Sequence, residues 1–324
     1  MKRLVLTSFL LTLGVAVAIF FVNMYWRDRA IANGERILQE RAWTIADTLD
    51  FMLQRRMTQV FTFAALPSVR GLATADSTIR SARAAVAQSE LQSMVAADPN
   101  VRAASILDVN GIVLLTTDAS MLANWSKRPF VREALRGQVF ASPTSLDLGE
   151  ISQYYSAPIL NGNGDVAGAF VLRVSVQEFW NVLLPYSNVR VVDEYGVRLA
   201  DRSQTPLTLV ALAPLSATVT ASALNENRYG ADLTRLDATN LKSLADAVTG
   251  TPWNVTYTEM DGRLAHATLR QMKTYRWNVI VFDYDDVLTA SVRDFWMGAA
   301  AFGIVVSIVA VSLGWILGGM RESD

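Results

Sequence analysis

Ala104-Ser-Ile-Leu-Asp-Val-Asn-Gly-Ile-Val-Leu-Leu-Thr-Thr117 decides the fold. Aliphatic and β-branched residues flank Asn110-Gly111, a pair that tolerates the left-handed backbone of a tight hairpin, so two antiparallel strands are expected. A second strand pair follows at Ser152-Gln-Tyr-Tyr-Ser-Ala-Pro-Ile159 and Ala167–Val174, joined by Asn161-Gly-Asn-Gly-Asp165. Pro158 suits a position without a neighbour on one side. Between the pairs lie a loop, Trp125-Ser-Lys-Arg-Pro-Phe130, and a short helix. This predicts a small antiparallel sheet with a helix and a loop over one face, enclosing a pocket.

The rest of the chain reads as support for that pocket. Its 324 residues have room for two ordinary domains with additions. Net charge is −1, which gives no basic footprint for nucleic acid. There is no Cys and a single His, His266, so disulfides and cysteine metal sites are excluded and neither a zinc nor a haem site is expected. The apolar fraction is 51% and the mean hydropathy +0.24, and two runs account for the excess. Leu4–Trp26 is nearly uncharged and long enough to cross a hydrocarbon core of roughly 30 Å. Lys2 and Arg3 precede it and Met24, Tyr25 and Trp26 resemble an interfacial belt. The second run begins at Phe295. Two crossings would put residues 27–294 on one side of the membrane and both ends on the other.

Arg27–Leu66 is expected to be one long helix. It contains only one Gly, Gly34, and no Pro before Pro67. Leu38, Ile45, Leu49, Met52, Leu53, Met57, Val60 and Ala64 recur at helical steps. Asp76–Ala97 reads as a second helix, capped by Asp76 or Ser77, and Ser175–Leu184 as a third. The opening pattern then returns. Val191-Val-Asp-Glu-Tyr-Gly-Val-Arg-Leu-Ala200 aligns with Ile106-Leu-Asp-Val-Asn-Gly-Ile-Val-Leu-Leu115, matching Asp193 with Asp108 and Gly196 with Gly111. A helix at Ala231–Val248 and strands at Pro252–Thr258, Leu264–Gln271 and Arg276–Phe282 complete a second, smaller copy. Asp285–Asp294 continues helically into the second apolar run.

This order of anchor, long helix, pocket module, smaller repeat and span resembles the double Cache receptors, a PAS-like extracellular sensor architecture found in chemoreceptors, sensor histidine kinases and cyclases. Leu107-Asp-Val-Asn-Gly-Ile-Val113, Ser126-Lys-Arg-Pro-Phe130 with Ala134-Leu-Arg-Gly137, and Ser156-Ala-Pro-Ile159 with Asp165-Val-Ala-Gly168 carry the resemblance, which covers about residues 27–294. It implies an α+β fold of two PAS-like antiparallel-sheet modules on one long N-terminal helix, flanked by two transmembrane helices. The expected division is an anchor at 1–26, stalk and second helix at 27–100, a distal module at 101–184, a proximal module at 185–294, a span at 295–319 and a cytoplasmic stub at 320–324.

In that family the distal module commonly binds a small molecule. Amino-acid receptors of the family carry Arg-x-Trp-Tyr in the loop and an Asp near the end of the last strand. Arg128 matches the Arg, Phe130 and Val131 replace Trp and Tyr, and Arg173 aligns where the Asp would be. An Arg repels an ammonium, whereas two guanidinium groups can clamp two acidic groups. The expected ligand is therefore an organic anion in preference to an amino acid. A one-residue slip would turn Arg173 to the outer face. The candidate binding residues are Arg128, Trp125, Phe130, Ser152, Tyr154 and Arg173. Three have a plainer reading: Arg128 as a surface Arg, Trp125 as a core or surface Trp, and Arg173 as a plain salt bridge. Asp108 and Asp193 are most simply turn residues and His266 a strand residue.

No catalytic set, metal site or cofactor is expected. The function expected is a two-pass inner-membrane sensor module that is not an enzyme. It would bind a small molecule, form a parallel homodimer and signal to an output domain or partner outside this chain. The alternative is a scaffold of the cell envelope whose modules have lost their ligand.

Overall fold

The structure is a computed structural model that describes residues 2–121, 123–203, 207–250 and 253–301. Helix α1 (Lys2–Ala64) is followed by α2 (Pro67–Ala73) and α3 (Ser77–Ala97). The distal sheet comprises β1 (Val101–Leu107), β2 (Val113–Thr116), β3 (Phe140–Ala141), β4 (Ser145–Asp147), β5 (Glu150–Leu160) and β6 (Val166–Ser175), with α4 (Pro129–Leu135) laid over it. Helix α5 (Val176–Leu183) leads to the proximal elements: β7 (Val189–Val192), β8 (Arg198–Asp201), α6 (Ala217–Asn225), α7 (Lys242–Thr249), β9 (Asn254–Thr258), β10 (Leu264–Gln271), β11 (Asn278–Tyr284) and α8 (Asp285–Leu288). The fold is thus α+β, with two antiparallel sheets on a long N-terminal helix.

Helix α1 is 63 residues, so it extends about 95 Å. Its expected stripe is the one buried: Leu38, Ile45, Leu49, Leu53, Val60 and Ala64 are each at most 2% exposed. The N-terminal part of this stripe packs on β10 and β11 and the C-terminal part on β5 and β6, so one helix supports both sheets. Asp50 fixes the proximal hairpin by accepting the amides of Lys273 and Thr274, each at 2.8 Å. The buried Arg56 ties the far half together, bonding Glu178 of α5 at 2.7 Å and Asp98 after α3 at 2.5 Å.

The internal repeat is visible atom by atom. The distal sheet runs β2-β1-β6-β5-β3 and the proximal one β8-β7-β11-β10-β9, the same order in each copy. In the first turn Asp108 Oδ1 accepts the amides of Asn110 and Ile112, both at 2.9 Å. In the second Asp193 Oδ1 accepts those of Tyr195 and Val197, both at 3.0 Å. Gly111 and Gly196 sit in left-handed backbone, at φ +74° and +76°. The two-residue turn expected from Asn110-Gly111 is corrected: only Gly111 is left-handed, because the Asp108 carboxylate organises a longer Asx turn.

Other expectations change as well. Pro67 does not stop helical structure but occupies the first turn of α2, where its missing N–H costs nothing. Asp76 is the N-cap of α3 without a side-chain bond. The helix expected over Ala231–Val248 is confined to α7, and α6 was not foreseen. Residues 229–232 spend their backbone groups on β4 instead: Leu146 N donates to Tyr229 O at 2.8 Å and Asp232 N to Leu146 O at 3.3 Å. Pro158 lies in β5 beyond the end of β3, so its missing donor faces no strand.

Among the described residues no helix is long and apolar enough to cross a membrane. The expected pair of flanking spans is not supported by them. Residues 2–26 are the first turns of α1, and the run 295–319 continues past residue 301, outside the described residues together with the stub at 320–324.

Candidate functional site

Period-two alternation sorts the distal strands between two faces. Phe170, Leu172 and Val174 of β6, with Tyr155, Ala157 and Ile159 of β5, pack toward α1. Ala169 and Val171 of β6 and Tyr154 of β5 line the opposite face under α4. Arg173 is in register with Tyr154 and shares that face, so it does not point to the outer one.

The loop before α4 supplies the rest. Trp125 N bonds Gly111 O at 2.8 Å, so the first turn holds the loop. Arg128 is the N-cap of α4 and Pro129 opens the helix. Phe130 stacks on Tyr154 with centroids 4.6 Å apart, and Trp125 stands edge-on to both at 6.0 Å. The Arg128 guanidinium is 5.9 Å from the centroids of both stacked rings. Ser152 Oγ accepts Arg173 Nε at 3.0 Å. All six expected residues therefore converge, while Lys127 is exposed.

Their partners were not foreseen. Arg128 is 8% exposed and forms a two-pronged pair with the buried carboxylate of Asp147, its Nη2 bonding Oδ1 and its Nη1 reaching Oδ2 at 3.3 Å. Its Nη1 also donates to Asn227 O at 3.1 Å. Arg173 is 3% exposed; its Nη2 donates to Asp147 O at 3.0 Å and to Glu150 Oε2 at 3.4 Å, and its Nη1 lies 3.8 Å from Asp118 Oδ2. Arg173 is thus a salt-bridged group on the face under α4. Burial, followed by the charge of Asp147, pushes the Tyr154 phenol well above its ordinary range.

Asp147 closes the β4–β5 hairpin with Leu148 and Gly149, both in left-handed backbone. The signal in the sequence was Ser145-Leu-Asp-Leu-Gly-Glu150, an alternation broken at Gly149. The non-Gly left-handed Leu148 hides it, because Leu is not a residue such a turn normally selects.

The proximal copy carries its own arginine pair. Arg190 Nη1 lies 2.8 Å from Glu259 Oε2 and donates to Tyr257 Oη at 3.1 Å, and its Nε donates to Asp201 Oδ2 at 3.3 Å. Arg198 donates to Val210 O and Thr239 Oγ1 at 3.0 and 2.9 Å. Burial, then the adjacent Arg190, lowers the Arg198 guanidinium to about 10. His266, read as an ordinary strand residue, instead joins three elements: Nδ1 is 3.3 Å from Glu35 of α1 and Nε2 is 3.2 Å from Asp285 of α8.

No family model and no curated protein matches the chain. Solved structures do. The sensor domain of the V. cholerae histidine kinase DctB superposes with a TM-score of 0.63 at 12% identity, covering 79% of this chain and 98% of that domain. The ligand-binding domain of the Pseudomonas fluorescens chemoreceptor CtaA, solved with L-alanine, gives 0.51 at 15% identity, covering 78% of this chain and 97% of that one. At these identities the likeness is one of fold, and the chain has the fold of the double Cache sensor domains.

Proposed function

We propose that the chain is the extracytoplasmic sensor of a membrane-anchored receptor and that its distal module takes a small organic anion. One observation carries this reading: two buried guanidinium groups, Arg173 on the sheet and Arg128 at the start of α4 above it, lie beside the Trp125–Phe130–Tyr154 cluster. Paired guanidiniums suit two carboxylates, and the aromatic wall suits a short carbon skeleton between them. Ser152 and Tyr154 contribute hydroxyl groups to the same face.

The signal would pass from the distal sheet through α5 and the proximal module to α8 and on to 295–319. Arg27 of α1 forms two bonds of 3.0 Å with Asp285 of α8, so entry and exit helices are joined at the base. Anchoring is supported by the apolar surface there: Phe20, Phe21, Trp26 and Phe295 are each more than half exposed. A parallel homodimer is supported by Ile37, Phe51 and Phe61, exposed on the face of α1 away from the sheets.

A second reading, an envelope scaffold without ligand, is favoured by the engagement of both arginines by the chain's own oxygens. A thermal-shift screen of the full chain separates the two. Malonate, succinate, glutarate, monocarboxylates and amino acids would be compared. A binder at about 100 times its Kd stabilises by roughly 2.7 kcal/mol. The sensor reading expects a dicarboxylate to raise the melting temperature and Arg128→Ala to remove the shift. Amino acids acting instead would refute the anion preference, and silence across the panel would favour the scaffold.

A further inference from the structure

The carboxylate that fills the Arg128 fork belongs to the chain, and it does not act alone. Asp147 Oδ1 also accepts the amide of Ala231 at 2.8 Å, from the segment that follows α6 in the proximal half. The same segment grips β4 and its hairpin along their length. Leu146 exchanges backbone bonds with Tyr229 and Asp232, and Gly149 N donates to Asp232 Oδ2 at 2.8 Å. Asn227 O takes a second bond from Arg128, and Glu226 pairs with Arg132 of α4 at 3.2 Å. The far end of the grip is anchored in the proximal turn: Tyr229, 1% exposed, donates its hydroxyl to Asp193 Oδ2 at 2.5 Å.

The contact places one non-glycine residue in left-handed backbone on each side, Leu148 and Asn227. Leu148 and Gly149 on the hairpin, and Asn227 and Gly230 on the segment, all have positive φ. A Cβ on Gly230 would lie 1.9 Å from Leu146 O, so the two chains approach as closely as only glycine permits. Such backbone persists only while its surroundings hold it.

We propose that Asp147 is a surrogate ligand: it holds Arg128 in competition with an incoming carboxylate, and its displacement releases the Glu226–Asp232 segment from the distal module. The proposal rests on the anion-sensor reading and specifies how binding reaches the proximal half. A carboxylate that takes the Arg128 fork removes the partner that orients Asp147, and with it the bond to Ala231. The hairpin and the segment then lose their common fixed point, and the pull on Tyr229 is transmitted to Asp193 in the turn that repeats the distal one. Ligand and segment are thereby linked through opposite preferences for one carboxylate, which is the differential interaction a conformational signal requires.

The test is a malonate titration of the full chain, wild type beside Asp147→Asn and Asp147→Ala, with amide hydrogen exchange followed over residues 226–232. Both variants are expected to bind malonate at least ten-fold more tightly and to exchange these amides at least ten-fold faster without it. Malonate should accelerate the same amides in the wild type. Equal or weaker binding by both variants overturns the competition. Binding by the wild type with unaltered exchange at 226–232 overturns the release. Each of those results leaves the sensor reading standing; malonate binding by none of the three proteins overturns the proposal, and silence of all three across the whole carboxylate panel removes the sensor reading as well.

Discussion

The distal and proximal modules answer one design problem in opposite ways. Each copy of the sheet buries two arginines against acidic groups. In the proximal copy the Arg190, Arg198, Asp201 and Glu259 side chains are at most 6% exposed, so all four are sealed from water. In the distal copy Arg173 is equally buried, but its partners Glu150 and Asp118 are 64% and 34% exposed. One cluster is closed and its charges balance internally. The other has acceptors on a hairpin and a loop that can turn to solvent. The repeated fold thus combines a module whose Arg173 has partly exposed acidic partners with one whose arginine partners are buried. The difference lies in burial: Asp201 and Glu259 are at most 6% exposed, whereas Glu150, at the start of β5, and Asp118, after β2, reach solvent.

The largest effect should come from breaking the sealed cluster. Arg190→Met leaves Asp201 and Glu259 charged in the interior and should cost about 3–5 kcal/mol in denaturant unfolding. Arg173→Met should cost only about 1–2 kcal/mol, because Glu150 and Asp118 can hydrate. Equal losses would erase the distinction between the copies.

The paired glycines sharpen it further. Both are left-handed, yet a Cβ on Gly111 would meet the Ser126 backbone at 2.7 Å, while on Gly196 the nearest atom, of Leu212, is 3.8 Å away. Gly111→Ala should therefore cost about 2–3 kcal/mol and loosen the loop that carries Arg128, against about 1 kcal/mol for Gly196→Ala. Melting of the two variants side by side checks this.

A pH slope tests the proximal turn by itself. Burial raises the Asp193 carboxyl from 3.8 to about 6, although Arg228 and the Tyr229 hydroxyl oppose the shift. A carboxyl raised in the folded state binds its proton more tightly there. It therefore adds stability as pH falls between these values and loses it as pH rises through them. The stability of the wild type relative to Asp193→Asn should decline as pH climbs from 3.8 to about 6. A difference that is flat or rises over that interval would contradict the assignment.

Much of this architecture was legible in the residues. The stripe from Leu38 to Ala64 gave the face of α1, because a helix supporting two sheets must keep one apolar side throughout. Asp108 and Gly111 reappeared as Asp193 and Gly196, because a turn with one left-handed residue and one capping carboxylate restricts the choice at both positions. The convergence of Arg128, Tyr154 and Arg173 followed from strand alternation once the pairing was assumed. What escaped was non-local. Asp147 and Ala231 are 84 residues apart, and no local pattern announces that a carboxylate on a hairpin will meet an amide from the other module. Helix α6, Ala217-Thr-Val-Thr-Ala-Ser-Ala-Leu-Asn225, is rich in β-branched residues and carries a weak helical signal. His266 was underestimated for the same reason, since Glu35 and Asp285 come from distant parts of the chain.

The most direct test of the account is the exchange footprint of the full chain, with and without the anion that the thermal screen selects. The account predicts protection at 125–130, 152–154 and 173, faster exchange at 226–232, and no change at the sealed cluster residues 190, 198, 201 and 259. Protection centred on Arg190 and Arg198, with the distal face unaltered, would contradict it.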